Sequence, residues 1–179
     1  MGLFLIESSS LQGIVDSKIA LDQKAEQLQA SLEAQESTLI EIQVSKDFTR
    51  SFFIVESADQ ETAAAGLKEA GIPVELVKDV RLVGDDLENV KQSKDLVNYL
   101  VEWNLPENLT MDQYLARKKK NSVHYEEVPE VSFARTYVCE DMSKCLCFYD
   151  APDEAAVKRA REAVQTPIDS ITEILTEDK

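Results

Sequence analysis

The sequence predicts an α+β protein of two tandem strand–helix–strand–strand–helix–strand repeats. Their antiparallel sheets pair as an intramolecular pseudo-dimer of the dimeric α+β barrel type. Three observations predict this. Ser37–Val80 lies over Val131–Ile174 at a constant offset of 94, with no gap. Each window carries two β-rich runs, a polar turn, an aspartate ahead of an Ala-rich helix, and a proline after it. Finally, the β-rich runs are apolar on both faces, which one layer of helices cannot cover.

The elements follow in chain order. Phe4-Leu-Ile-Glu7 reads as the opening strand. A helix over about Asp16–Glu36 carries Leu21, Ala25, Leu28 and Leu32, an apolar stripe at helical spacing. Leu39–Ser45 and Ser51–Val55 are strands joined by the polar turn Asp47-Phe-Thr-Arg50. Asp59 stands at an N-cap position, and Pro73 stops the helix before a last strand. Gly84–Asp95 is a polar, acidic connector. Then the order repeats. Tyr99-Leu-Val-Glu102 faces Phe4–Glu7 with a one-residue shift. A helix over about Met111–Val128 opens with Thr110 as cap and Gln113 as its capping-box partner. Phe133–Cys139 and Cys145–Tyr149 flank the turn Asp141-Met-Ser-Lys144, Asp153 caps the next helix, and Pro167 ends it. Four positions are identical between the windows: Val44/Val138, Asp47/Asp141, Asp59/Asp153 and Pro73/Pro167. The order is ferredoxin-like. The predicted repeats are 1–83 and 96–179, with 84–95 as linker. Leu87, Val90, Val97 and Val101 also have near-helical spacing, so 86–103 reads alternatively as one helix; the repeat favours a strand from 96.

With Glu140–Ser143 as the hairpin loop, Val138 faces Cys145. One sheet face then shows Thr136, Val138, Cys145, Cys147 and Tyr149, and the other Tyr137, Cys139, Leu146 and Phe148. In the first repeat Val44, Phe53 and Val55 oppose Phe52 and Ile54. Helices cover one face, and the expected cover of the other is the sister sheet, ~10 Å away.

Composition excludes several functions. The chain has 179 residues, 44% hydrophobic and 30% charged, with a net charge of −15. That sign opposes nucleic-acid binding and anionic-membrane binding. No apolar run approaches ~18 residues, and the N-terminus lacks a basic n-region, so neither a membrane span nor a signal peptide is expected. Position 6 is Ile, which breaks the myristoylation pattern begun by Gly2. Cys139, Cys145 and Cys147 are an odd number in one cluster, not a disulfide framework, and point to a reducing, cytoplasmic setting. No G-x-G-x-x-G, P-loop, H-E-x-x-H or C-x-x-C is present.

The candidate chemistry is sparse. Cys145-x-Cys147 is a potential soft-metal chelate on one strand face, while Cys139 falls on the opposite face. Buried strand cysteines more commonly pack as small hydrophobes. His124, the only histidine, lies on the wet side of its helix near Arg117, Lys120 and Asn121. Arg117-Lys-Lys-Lys120 could seat an anion or dock an acidic partner, but reads more readily as solvated helix surface, because a helix spreads four consecutive residues around its girth. Glu7 and Glu102 occupy equivalent strand positions where glutamate is depleted, and could ligate a metal or act as a base. Trp103 and Asn104 follow directly.

Tyr99–Glu102, Leu105-Pro-Glu-Asn-Leu-Thr110, Arg135-Thr-Tyr-Val138, Lys144–Ala155 and Pro167–Ile174 together resemble a known family. It is the small nickel-binding, ferredoxin-like proteins first described in actinomycetes, otherwise a domain family of unknown function. The first half resembles it in outline, through Phe4–Glu7, Ser51–Glu56 and Gly71-Ile-Pro73. The resemblance implies a ferredoxin-like fold, dimerisation, and nickel or another transition metal in at least one member. The family's first strand usually continues Glu-Arg-His, but here Trp103 and Asn104 follow Glu102. Where a histidine often precedes Ser-Tyr-Val, this chain has Arg135. The donors left for a metal are Glu102, Glu7, Asn104, His124 and Cys145.

The expected function is that of a non-enzymatic binding or interaction protein, with a protein partner or self-association as its partner class. An alternative is a small dimeric α+β barrel enzyme of oxygenase or isomerase type, with a pocket between sheet and helices. Another is a subunit of a larger assembly. Nucleic acid and membrane insertion are not expected.

Overall fold

The computed structural model describes residues 1–9, 17–84, 86–92 and 97–175. The expected helix start at Asp16, parts of the 84–95 linker, the strand start at 96 and the last four residues lie outside them. The chain forms two compact units. The first is built on the described parts of Met1–Val80, Leu87–Gln92 and Leu175–Lys179, the second on those of Arg81–Asp86 and Ser93–Ile174, so that the strand Leu76–Val83 belongs to the first only as far as Val80.

The first unit contains β1 (Gly2–Ser8), α1 (Lys18–Ala34), β2 (Thr38–Val44), β3 (Ser51–Ser57), α2 (Gln60–Glu69), β4 (Leu76–Val83) and the short α3 (Leu87–Gln92). Its strands run in the order β2-β3-β1-β4, all antiparallel. The second contains β5 (Tyr99–Asn104), α4 (Met111–Asn121), β6 (Ser132–Cys139), β7 (Lys144–Asp150), α5 (Glu154–Ala163) and β8 (Ser170–Glu173). Their order, β6-β7-β5-β8, is the same pattern. The fold class is therefore α+β, with two βαββαβ units and antiparallel sheets.

The local signals act as the residue chemistry requires. Ser17 caps α1 by accepting from the Ala20 amide at 3.1 Å. Asp59 and Asp153 cap α2 and α5, accepting from Thr62 and Ala156 amides at 2.8 Å each. Thr110 and Gln113 form the expected capping box. The offset of 94 recurs in irregular geometry, which apolar patterning alone does not dictate. β2 is bulged between Leu39 and Glu41, and β6 between Phe133 and Arg135. Phe48 and Met142 both turn at positive φ, 62° and 61°. Asp47 and Asp141 hold these turns by accepting from the Thr49 and Ser143 amides. The chain leaves α2 and α5 through Gly71 and Gln165, again both at positive φ.

Two expectations need correction. The stretch read as a connector contains the helical turn α3, and the single helix over 86–103 gives way to strand at Tyr99. The helix read as reaching Val128 ends at Asn121 and tightens into a 3₁₀ turn, Ser122–Glu127.

Val138 pairs with Cys145 as the loop length requires. On the helix side of the second sheet, Val101, Trp103, Val138, Cys145, Cys147 and Tyr149 form a core with Tyr114, Val157 and Ala160. On the other side Leu100, Tyr137, Cys139, Leu146 and Phe148 are buried as well. In the first unit Phe4, Ile6, Val44, Phe53 and Val55 pack on Leu28, Leu32, Ala63 and Leu67, while Leu5, Phe52 and Ile54 are buried on the opposite face.

α1 and α2 meet at Gly66. A Cβ there would stand 2.3 Å from Leu32 Cδ2, and Leu32 is itself fully buried. Ser31 Oγ donates to the Gly66 carbonyl at 2.8 Å across the same contact. Gly66→Ala gains about 1 kcal/mol in helix propensity. Overpacking costs about 1–3 kcal/mol, and here the clash falls on a side chain with no room to yield. Urea denaturation should show a net loss of stability; a gain would mean α1 can shift away.

Candidate functional site

Glu102 sits on β5 opposite Leu146, which directs it to the sheet face away from the helices. It is 6% exposed. Lys144 Nζ lies 2.8 Å from one carboxylate oxygen, and Ser170 Oγ donates to the other at 3.1 Å. Glu7, opposite Phe52 in the first unit, pairs with Arg50 at 3.0 Å. Arg50 and Lys144 are themselves 94 residues apart, so each unit answers its strand glutamate with a cation at the same place.

The other predicted donors go elsewhere. Cys145 faces the helices, opposite Trp103, on the reverse side of the sheet from Glu102. Asn104 is exposed at the end of β5, where its backbone N–H donates to Asp169 Oδ2 at 2.6 Å. His124 is half-exposed on the 3₁₀ turn, its Nδ1 2.6 Å from Glu127. Among the described residues, no group of three or more His, Cys, Asp or Glu side chains converges on a point that could hold a metal. Nickel needs such convergence. This donor set does not fit it.

A different site lies between α4, the 3₁₀ turn, α5 and the sheet of the second unit. Trp103, Tyr114, Arg117, Lys118, Tyr125 and Arg161 line a narrow cleft of about 20 Å³. That is room for about one water molecule. At its floor Arg161 is 2% exposed. Its Nη1 donates to Tyr149 Oη at 3.0 Å and lies 3.3 Å from Cys147 Sγ. Its Nη2 donates to the Pro167 carbonyl at 2.6 Å. Tyr149 and Tyr125 hydroxyls are 2.6 Å apart, and Tyr125 stacks on Phe133. Arg117 lies over the Trp103 ring at 5.5 Å and donates to the Gln165 carbonyl. Lys118 lies over Phe133 at 4.3 Å.

This electrostatic setting reaches the thiols and phenols. A hydrogen bond from Cys145 and the positive charges of Arg161 and Lys118 hold the Cys147 thiol well below its ordinary range, against burial. Cys145 is pushed up by that hydrogen bond and by burial. Burial, then the proximity of Cys147, pushes Tyr125 up to about 12. Sequence reasoning missed Arg161, and for Arg117 and Lys118 it preferred solvated surface to an anion seat. The signal was present: at offset 94, Arg161 falls on Leu67, a core leucine.

Two measurements check this geometry. Glu102→Ala removes the carboxylate 2.8 Å from Lys144 in a poorly hydrated site, so it should cost about 2 kcal/mol or more without any metal present. Lys144→Met in the same background should recover part of it; loss of stability only in nickel-loaded protein would contradict the pairing. Tyr125 resists ionisation when folded, whereas an unfolded tyrosine titrates near ~10. Its stabilising contribution is thus whole below about pH 10 and lost as pH rises through about 12. Urea denaturation across that pH range should show a shallower fall in stability in Tyr125→Phe.

No curated protein matches the sequence. Two solved structures share the fold at low identity. One is titled "putative monooxygenase from Lactobacillus acidophilus NCFM" (TM-score 0.53, 12% identity, 98% of this chain and 94% of that one). The other is a "Putative Chlorite dismutase" (TM-score 0.53, 13% identity, 98% and 96%). At these identities the likeness speaks for the α+β fold alone. By sequence, residues 99–174 of the chain match the family described as "Nickel responsive protein SCO4226-like".

Proposed function

We propose that this chain is a non-enzymatic binding protein, built as two repeats (1–83 and 96–179) joined by 84–95, and that its recognition site is the helix–sheet cleft of the second repeat. The observation that carries this is the divergence of the donors. Glu102 and Cys145 face opposite sides of one sheet, and Glu102 is already satisfied by Lys144 and Ser170. The cleft gathers instead an indole, two phenols and three cations. The same facts weigh against the enzyme reading, since the buried carboxylate expected to serve as base does not line the cleft. Assembly through an apolar patch has little support: the exposed large hydrophobics among the described residues are Met1, Ile19 and Val123. No described helix is long and apolar enough to cross a membrane.

The test is elemental mass spectrometry on untagged protein grown with added nickel, paired with native mass spectrometry of the same sample. Nickel should stay far below one equivalent and be indifferent to Glu102→Ala, while native spectra should show a bound small molecule. Near-stoichiometric nickel that disappears in Glu102→Ala would overturn the reading.

A further inference from the structure

Resting on that cleft as the recognition site, we propose that its ligand is a small molecule bearing an oxyanion, a carboxylate or a phosphate group, held by Arg161 with Lys118 and Arg117. A guanidinium does not shed its proton on burial, so a buried one calls for a counter-charge. Arg161 has a phenol, a thiol and a carbonyl as partners. Its Nε has no hydrogen-bond partner among the described residues. Arg117 and Lys118 rest on rings and a carbonyl. No described carboxylate pairs with any of the three, although the chain as a whole carries a net charge of −15.

The other repeat serves as an internal control. At the place of Arg161 it has Leu67, at that of Cys147 Phe53, and at that of Tyr149 Val55, all fully buried. The fold fills these positions with hydrocarbon in one unit and with a cation and donors in the other. Charge here is not something the fold requires. Both Arg161 Nη atoms already donate within the protein, so its Nε–H is the donor left for a ligand oxygen. A cleft of about 20 Å³ has room for one ligand oxygen beside Arg161 and leaves the remainder of the ligand outside, toward the exposed Arg117.

Trp103 is the only tryptophan of the chain and lines the cleft, so its emission reports the site. The full chain is titrated with acetate, with acetamide as its neutral isostere, and with inorganic phosphate, at ionic strength held constant with sodium chloride. A saturable change is expected with acetate, phosphate or both, and none with acetamide. Half-saturation should rise about tenfold or more in Arg161→Leu and in Lys118→Gln. Arg161→Leu copies the first repeat; Lys118→Gln, at a half-exposed position, keeps the test decisive if the leucine variant misfolds. Acetate alone assigns a carboxylate, and phosphate alone a phosphate ester. An equal response to acetamide removes the anion inference and leaves the cleft reading standing. The inference is also overturned by a response unchanged in Lys118→Gln, or by a flat response to all three. A flat response with neutral-pH thiolate absorbance that vanishes in Cys147→Ser would identify Cys147 as the counter-charge and equally sink it.

Discussion

A strand can present a side chain to one face or the other, never both, and the register of a hairpin decides which. In the second unit, Val138 against Cys145 settles the matter for every neighbouring residue. β5 is locked to β7 with Trp103 beside Cys145 and Glu102 beside Leu146. The indole, both thiols and Tyr149 therefore face the helices, and the glutamate faces away. A slip of one residue would exchange the two sets. The cleft and the fate of the glutamate are thus two results of one register, and no rotamer change brings Glu102 and Cys145 together.

The fold was legible because its signals are local and periodic. Asp59 and Asp153 cap helices for the same reason any aspartate does, and the gapless offset carried the pattern from one repeat to the other. The turns with positive φ at Phe48 and Met142 were not legible, since neither is a glycine; the Asx turn at the preceding aspartate holds them. α3 was legible only inside the alternative helix over 86–103, through Leu87 and Val90; at six residues it is too short for that spacing to outweigh the repeat. The site was legible only in part. Composition could flag Glu7 and Glu102 as unusual strand residues, but not that Arg50 and Lys144 stand across from them. Those pairs depend on tertiary register, and each cation sits in a turn that reads as merely polar.

Comparing the two units also separates what the fold needs from what it does not. Positions where the units agree in chemistry, such as the caps, bulges, turns and strand glutamates with their cations, are structural by this measure. Positions where one unit has hydrocarbon and the other polarity are ones that the fold leaves open. Leu67 and Arg161 are the sharpest case, because a leucine-to-arginine exchange in a core is ordinarily destabilising unless the charge is met. Around Arg161 several neighbours differ too, with Cys147 for Phe53 and Tyr149 for Val55, and each supplies a polar atom that reaches the guanidinium.

An acidic chain that gathers an anion faces an unfavourable overall field. At physiological ionic strength that field is screened within about 8 Å, so a ligand in the cleft feels mainly the groups that line it. Those are three cations set among aromatic rings, which hold positive charge in place without neutralising it. Carboxylates in the same positions would cancel the charge and close the site. The distant negative charge then slows the approach of anions in general, while the cleft retains the few that can place an oxygen beside Arg161. Selectivity on these terms arises from shape and local charge, and it needs no metal.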